Sequence, residues 1–224
     1  MKVTYIYHSG FLIETANSYY IFDYWKGELP RLDPEKPVVV FSSHAHPDHY
    51  EPKVFDLLKA QGMKDIYAVL GKDIPKEKYP EGIECLHTLA HKTFTLHRGE
   101  ELYTLQSTDA GVAFLLTTEE GVIYHAGDLN DWVWHGEPEE NNRQMTLFYR
   151  RELERIADRH IDVAFVPLDA RQEDLCRNGL SGFLEIVKDV ARVYPMHYWE
   201  KTELIDQFVE AYPQYQGIVL NPEA

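Results

Sequence analysis

The chain has 224 residues, 44% of them hydrophobic, which predicts a single folded domain over residues 1–224 and excludes a disordered protein. Its 37 acidic and 22 basic residues give a net charge of −15, which disfavours a nucleic-acid partner because most such affinity comes from neutralising phosphates. Two cysteines are too few for a disulfide framework, so we expect a protein of the reducing cytoplasm. We expect no membrane partner, since the chain shows neither a signal-peptide pattern nor the roughly 20 apolar residues that cross a bilayer.

Short apolar and β-branched runs, separated by glycine, asparagine and proline, dominate the first part of the chain and predict strands. The predicted strands lie at residues 3–7, 10–14, 19–24, 38–42, 66–70, 83–87, 93–97, 101–106, 112–117 and 122–125. One helix is predicted among them, at about residues 52–61, because proline stands in its first turn and Gly62 follows its end.

Helices alternate with strands in the second part of the chain. Apolar side chains recur at near-helical spacing among charges over residues 139–159, which predicts a long amphipathic helix. The pattern then predicts a strand at 163–167, a helix at 180–192, a strand at 193–196, a helix at 202–211 and a strand at 218–220. This order of elements, with strands first and strands alternating with helices afterwards, indicates an α+β fold. In such a fold two sheets pack together with helices outside.

The segment with the clearest chemistry follows the buried strand predicted at residues 38–42. It places His44, His46, Asp48 and His49 within six positions. His44 and His46, which are two residues apart, can bind one cation. Asp48 and His49, which are adjacent, can bind a second. Imidazole and carboxylate ligands together suit zinc, manganese or iron. The alternative is a solvated loop that helps to start the next helix, and it accounts poorly for four ligand-type residues in six positions.

Residues 44–49, HAHPDH, match the HxHxDH signature, and through it the chain resembles the metallo-β-lactamase superfamily. The resemblance implies a four-layer αββα sandwich with two mixed β-sheets, and it implies two later ligands. Asp128, after an apolar strand and a glycine, is the expected bridge between two metals, and His197, at the end of another strand, is expected to complete the second metal site. Residues 8–14 and 21–23 resemble the start of the branch that contains L-ascorbate-6-phosphate lactonase.

One position departs from the family pattern. The family usually has a third histidine on the first metal, roughly twenty residues before the bridging aspartate, and residues 106–112 contain none. Asp109 is the expected substitute, and its oxygen would shift the preference from zinc towards manganese or iron. An Asx turn at Asp109, or a first metal that lacks a ligand, are the alternatives. His87 and His91 fit the pattern less well.

Other residues are candidates for supporting the ligands or for contacting a substrate. The tryptophans and the histidine of residues 131–135 follow the expected bridging aspartate and could wall a pocket, or simply pack on the sandwich. Arg171, which follows the strand predicted at 163–167, could bind a carboxylate or phosphate, or form a surface salt bridge. The candidates are His8, Asp23, Trp132, Trp134, His135, Asp169 and Arg171.

The residues and the resemblance together predict a metal-dependent hydrolase. Two divalent cations, zinc by preference with manganese or iron as alternatives, would lower the pKa of a bridging water and supply hydroxide. We expect that hydroxide to attack a small ester, lactone or phosphoester, with Asp48 and Asp128 as catalytic residues. A phosphodiesterase or nuclease, an iron-dependent redox enzyme and a non-catalytic metal-binding protein are the alternatives. The sequence does not indicate an oligomeric state.

Overall fold

A computed structural model describes all residues from 1 to 224. Strands β1 to β6 form the first sheet in chain order, and their pairing is antiparallel from β1 to β3 and parallel from β3 to β6. These strands are β1 Lys2–Tyr7, β2 Gly10–Glu14, β3 Tyr19–Phe22, β4 Val38–Ser42, β5 Ile66–Gly71 and β6 Glu84–Thr88.

The second sheet also has six strands, in the order β12-β11-β10-β9-β8-β7. It is antiparallel from β7 to β10 and parallel from β10 to β12, so both sheets are mixed, as predicted. Its strands are β7 Thr93–Thr95, β8 Glu101–Gln106, β9 Val112–Thr118, β10 Gly121–His125, β11 Val163–Pro167 and β12 Val193–Met196.

Four α-helices cover the outer faces of the two sheets, which confirms the four-layer αββα arrangement. They are α1 Lys53–Ala60, α2 Glu139–Leu153, α3 Arg177–Ile186 and α4 Glu203–Ala211. Helix α1 packs on the first sheet, and the other three contribute buried side chains to the core of the second sheet. No helix combines the length and the apolar composition that crossing a membrane requires.

Alternate side chains of the first sheet point to opposite faces, as the two-residue period of a strand requires. In β2, Phe11 and Ile13 join the main core of 41 buried residues, which also contains the inner face of the second sheet. Leu12, between them, belongs to a separate cluster of 15 buried residues that includes Phe55 of α1. The sheets are therefore stabilised by an apolar layer between them and by the helices outside.

The strand order brings the carboxyl ends of several strands to one edge of the sandwich. Strands β10, β11 and β12 are parallel neighbours, so the segments that follow them leave the sheet on the same side. Asp128, Asp169 and His197 lie in those segments. In the first sheet, β4 ends at Ser42, and the segment that begins with His44 meets the others at this edge.

Three predicted elements differ from the structure. The helix predicted at 180–192 is wrong at its end, because α3 stops at Ile186 and buried Val190 then forms a β-bridge with Ile161. The helix predicted at 139–159 is α-helical only to Leu153 and continues as a 3₁₀ turn. The strand predicted at 218–220 is reduced to isolated bridges at Val219. In each case an apolar pattern is present, but tertiary contacts decide the backbone conformation that buries it.

Candidate metal centre

Two of the four predicted ligands after β4 are completely buried at the edge of the sandwich. His44 and His49 are both 0% exposed, whereas His46 is exposed. The loop fits there because it packs against Gly111, whose φ is +69°. A Cβ at this position would lie 2.1 Å from the Ser43 carbonyl oxygen. Only glycine tolerates both the left-handed backbone and this approach.

A first group of ligand atoms consists of His44, His46 and Asp128. His44 Nε2 lies 2.9 Å from His46 Nδ1 and 3.4 Å from Asp128 Oδ2. Two ligands of a tetrahedral zinc at ~2.0–2.1 Å are about 3.3 Å apart. These side chains therefore have the spacing of ligands around one cation.

A second group consists of His49, Asp128 and His197. Asp128 Oδ1 lies 3.2 Å from His49 Nε2 and 3.1 Å from His197 Nε2, and the two Nε2 atoms are 3.2 Å apart. This triangle matches one face of a tetrahedral coordination shell. Asp128 directs one oxygen towards each group, which is the geometry that a bridging carboxylate needs.

The candidate ligand atoms include a buried carboxylate oxygen that a cation would satisfy. Asp128 Oδ1 is buried and has no hydrogen-bond partner, although burying an unpaired carboxylate oxygen is costly. A cation at the second group would satisfy this oxygen. The residues present therefore fit the divalent cations predicted from the sequence.

Asp23 orients two of the histidines through their Nδ1 atoms. His49 Nδ1 donates to Asp23 Oδ2 at 2.7 Å. Ser43 Oγ donates to the same oxygen at 2.7 Å and lies 2.9 Å from His44 Nδ1, so it accepts from that nitrogen. With Nδ1 as the donor, Nε2 is the nitrogen that each neutral imidazole would offer to a cation.

Asp169 performs the corresponding role for His197. Its Oδ2 lies 3.3 Å from His197 Nδ1, and Arg171 donates to both of its oxygens at 2.6 to 3.1 Å. Burial raises the pKa of Asp169, but hydrogen bonds from His197 and Arg171 outweigh burial and hold the pKa below its usual value. The group is therefore a carboxylate that can keep the imidazole oriented.

Charge and burial also fix the protonation of the central groups. Burial raises the pKa of Asp128, but the imidazoles of His49 and His197 outweigh it and hold that pKa well below its usual value. Burial lowers the pKa of His8 to about 4, so this imidazole is neutral at pH 7. The centre thus offers a carboxylate and a neutral nitrogen at its edge.

A pocket of about 380 Å³ opens next to Asp128. Its wall contains Trp132 and Trp134, whose rings are stacked at 6.1 Å between centroids. The Arg171 guanidinium also lines it. The segment predicted to wall a pocket therefore does so through its tryptophans.

Asp109 and His135 lie outside the ligand groups at the centre. Asp109 is exposed and lines the pocket, but its carboxylate belongs neither to these two groups nor to the third group at the centre, which consists of His8, Asp48 and His197. Its role as a ligand stays a prediction. His135 is exposed and pairs with Asp174 at 2.6 Å, and it is not among the residues that line the pocket. Of the weaker candidates, His91 contacts Glu152.

Sequence reasoning did not single out Ser43 or Trp199. Ser43 connects Asp23 to two histidines, but a serine at a strand end carries no distinctive signal. Trp199 lies 4.6 Å from the ring of His8 and 5.1 Å from the Arg171 guanidinium. The sequence signal for Trp199 was its position two residues after His197, a predicted ligand.

Comparisons with known proteins identify the family of the chain. A family profile described as Beta-lactamase superfamily domain matches residues 2–143. A UPF0173 metal-dependent hydrolase of Pyrobaculum calidifontis is 28% identical over 214 residues, covering 88% of this chain and 84% of that protein.

Two solved structures share the fold at low sequence identity. Igni18, a metallo hydrolase from Ignicoccus hospitalis, has a TM-score of 0.62 at 17% identity, covering 98% of this chain and 94% of that one. CmlA, a diiron beta-hydroxylase from Streptomyces venezuelae, has a TM-score of 0.61 at 12% identity, covering 98% and 52%. Because the family profile spans more than half of the chain, and the relatives that match most of its length are metal-dependent hydrolases, the chain belongs to the metallo-β-lactamase superfamily as a metal-dependent hydrolase.

Proposed function

We propose that this metal-dependent hydrolase cleaves a small ester, lactone or phosphoester at a centre of two divalent cations. The observation that carries the proposal is the sharing of Asp128 between two groups of converging ligand atoms. His44 and His46 complete the first group, and His49 and His197 complete the second. Asp48 borders the second group, with Oδ2 3.8 Å from His49 Nε2.

The chain's own residues would hold and orient the reacting groups. When bound, the two cations would supply a water of lowered pKa as nucleophile and positive charge for the developing oxyanion. Asp128 and Asp48 would hold the centre together as the catalytic carboxylates. Asp23 and Asp169 would keep the histidine Nε2 atoms directed inwards.

The pocket favours a small substrate with an apolar or planar part. Its volume of about 380 Å³ is at the lower end of the range for small-molecule sites. The stacked rings of Trp132 and Trp134 would contact that part, and Arg171, which lines the same pocket, would contact a carboxylate or phosphate. The lactonase-like substrate class predicted from residues 8–14 is compatible with this pocket.

Two alternative functions use the same centre. A phosphodiesterase or nuclease is disfavoured by the net charge of −15, which repels polyanions. An iron-dependent redox enzyme is the second, and it is motivated by the fold shared with a diiron hydroxylase. We propose zinc as the resident metal, with manganese or iron favoured instead if Asp109 supplies an oxygen ligand.

Elemental analysis and a substrate panel test the proposal together. We expect about two metal equivalents in the parent protein, and hydrolysis of at least one aryl ester, lactone or phosphomonoester. His46→Ala should lose part of the metal and most of the activity. Asp109→Ala should also lose metal if its carboxylate replaces the third histidine. His160→Ala is the matched control, because this histidine is exposed and lies outside the three groups.

Each result has a distinct meaning. A parent protein that binds no zinc, manganese or iron contradicts the proposal. Cleavage of bis-phosphodiesters and RNA without ester or lactone turnover would replace it with the nuclease alternative. Iron in the purified protein with oxygen-dependent turnover would replace it with the redox alternative.

A further inference from the structure

His8 lies at the metal centre although it comes from the opposite end of the chain from His197. It occupies the turn between β1 and β2, with φ at +57°, a left-handed conformation that is uncommon for histidine. Its backbone N–H donates to Tyr5 Oη at 2.8 Å. A strained backbone that the surroundings hold in place is frequent at functional sites.

Aromatic side chains enclose the imidazole of His8. The ring lies 4.1 Å from the ring of His197, 4.6 Å from Trp199 and 5.6 Å from Trp25, measured between centroids. His8 is only 3% exposed. The ring therefore has little freedom to rotate towards solvent.

The Nε2 atom of His8 is buried and has no hydrogen-bond partner within bonding distance. The polar atom that faces it is Asp48 Oδ2, at 3.6 Å. That separation is about 0.6 Å longer than the usual N–H···O distance of ~3.0 Å. This nitrogen can be satisfied by donating to the facing carboxylate, or by joining Asp48 and His197 as a ligand of a cation.

The two histidines of the second group each have a supporting partner, whereas Asp48, the predicted ligand that borders this group, has none. Asp23 supports His49, and Asp169 supports His197. No hydrogen bond to the Asp48 side chain is present, and this side chain is 27% exposed. His8 Nε2 is the donor that faces this unsupported carboxylate. Asp48 therefore lacks a supporting contact, and His8 is in position to make it.

We propose that His8 is a positioning residue that donates a hydrogen bond from Nε2 to Asp48 and so holds this carboxylate against the second cation. This assignment rests on the proposed function, because it requires the second cation. Supporting partners of metal ligands orient them, and their loss weakens binding by roughly 10- to 100-fold. The role extends the centre to the first turn of the chain.

Metal titration of three variants tests the assignment. His8→Gln keeps an N–H donor close to the position of Nε2, whereas His8→Leu keeps comparable bulk without any donor. His97→Leu is the control, because that histidine is exposed and lies outside the ligand groups. The measurement is the affinity of each of the two zinc equivalents, obtained by competition with a chromophoric chelator.

We expect His8→Leu to weaken one equivalent by roughly 10- to 100-fold and to leave the other unchanged. His8→Gln should restore that affinity to within about threefold of the parent protein. The ¹⁵N spectrum of the zinc-loaded parent, labelled at histidine, should show His8 Nε2 still carrying its proton.

Three results would overturn the assignment. Parent-like zinc binding in His8→Leu would remove any positioning role. Equal loss in His8→Gln and His8→Leu, with a deprotonated Nε2, would make His8 a direct ligand instead. Equal loss of both equivalents together with a lower melting temperature of the metal-free protein would indicate packing alone. A parent that binds zinc but hydrolyses nothing contradicts the proposed function without affecting this result, and a parent that binds no metal contradicts both.

Discussion

At the scale of single residues, strain and close packing concentrate where the ligand groups meet. His8, Asp23 and His197 all have positive φ values, at 57°, 43° and 64°. Such backbones cost of order 1–3 kcal/mol each and persist only where the surrounding structure determines them. At each of these three residues the left-handed backbone directs the side chain towards its partners at the centre.

Gly111→Ala tests how tightly the ligand loop is packed. The left-handed φ costs alanine ~1–2 kcal/mol, and the clash with the Ser43 carbonyl adds another ~1–3 kcal/mol, because overpacking displaces neighbours. Gly82→Ala is the matched control, since its φ of +71° is similar and nothing lies within 4 Å of the added Cβ. Urea unfolding measures both variants. Equal losses of unfolding free energy would contradict the packing argument.

At the scale of elements, the centre depends on segments that follow parallel strands. A parallel pair ends on one side of its sheet, so the loops after β10, β11 and β12 meet without long connections. Helix α2 adds a contact through Glu152, which is 2% exposed and accepts from the Gln106 backbone N–H at 3.0 Å and from His91 Nε2 at 2.8 Å. This carboxylate joins α2 to the end of β8.

Glu152→Ala should destabilise the protein through that junction. The substitution leaves the partly buried Gln106 N–H without this partner, which costs about 1–3 kcal/mol. Glu154→Ala is the control, because Glu154 is an exposed neighbour near the same end of the helix. Guanidinium unfolding of the two variants provides the comparison. If Glu152→Ala is no less stable than Glu154→Ala, then the junction contributes nothing measurable.

At the scale of the whole molecule, the centre connects the two sheets, so its cations should stabilise the fold. The candidate ligands come from the loop after β4 in the first sheet and from the segments after β10 and β12 in the second. A ligand that binds only the folded state at 1,000 times its Kd adds about 4 kcal/mol. Metal binding should therefore hold the sheets together as well as support the reaction.

Removing the metal should lower the melting temperature by about 8–16 °C, since each kcal/mol shifts the midpoint by roughly 2–4 °C in a chain of this size. Differential scanning calorimetry before and after treatment with EDTA measures the change. Adding zinc back should restore the original midpoint and serves as the control for chelator effects. A midpoint that does not move on removal would mean that the two sheets are joined without help from the centre.

Most strands and the ligand motif could be predicted from the sequence because their signals are local. A short continuous apolar run marks β2, and the HxHxDH motif lies within one loop. The end of α3 could not be predicted, because Val187 and Val190 continue an apolar pattern while a β-bridge to Ile161 sets the backbone. Periodicity reports burial, and it does not report which partner buries a residue.

The sequence by itself determined the family, the mixed two-sheet fold and the residues that are able to bind cations. Only the tertiary structure decided that Asp109 lies outside the converging groups of ligand atoms. It also decided that Asp23 orients His49, and that His8 faces Asp48 from 40 positions away in the chain. The physical reason is that these contacts join separate strands, so they exist only after the two sheets have packed and their ends have met.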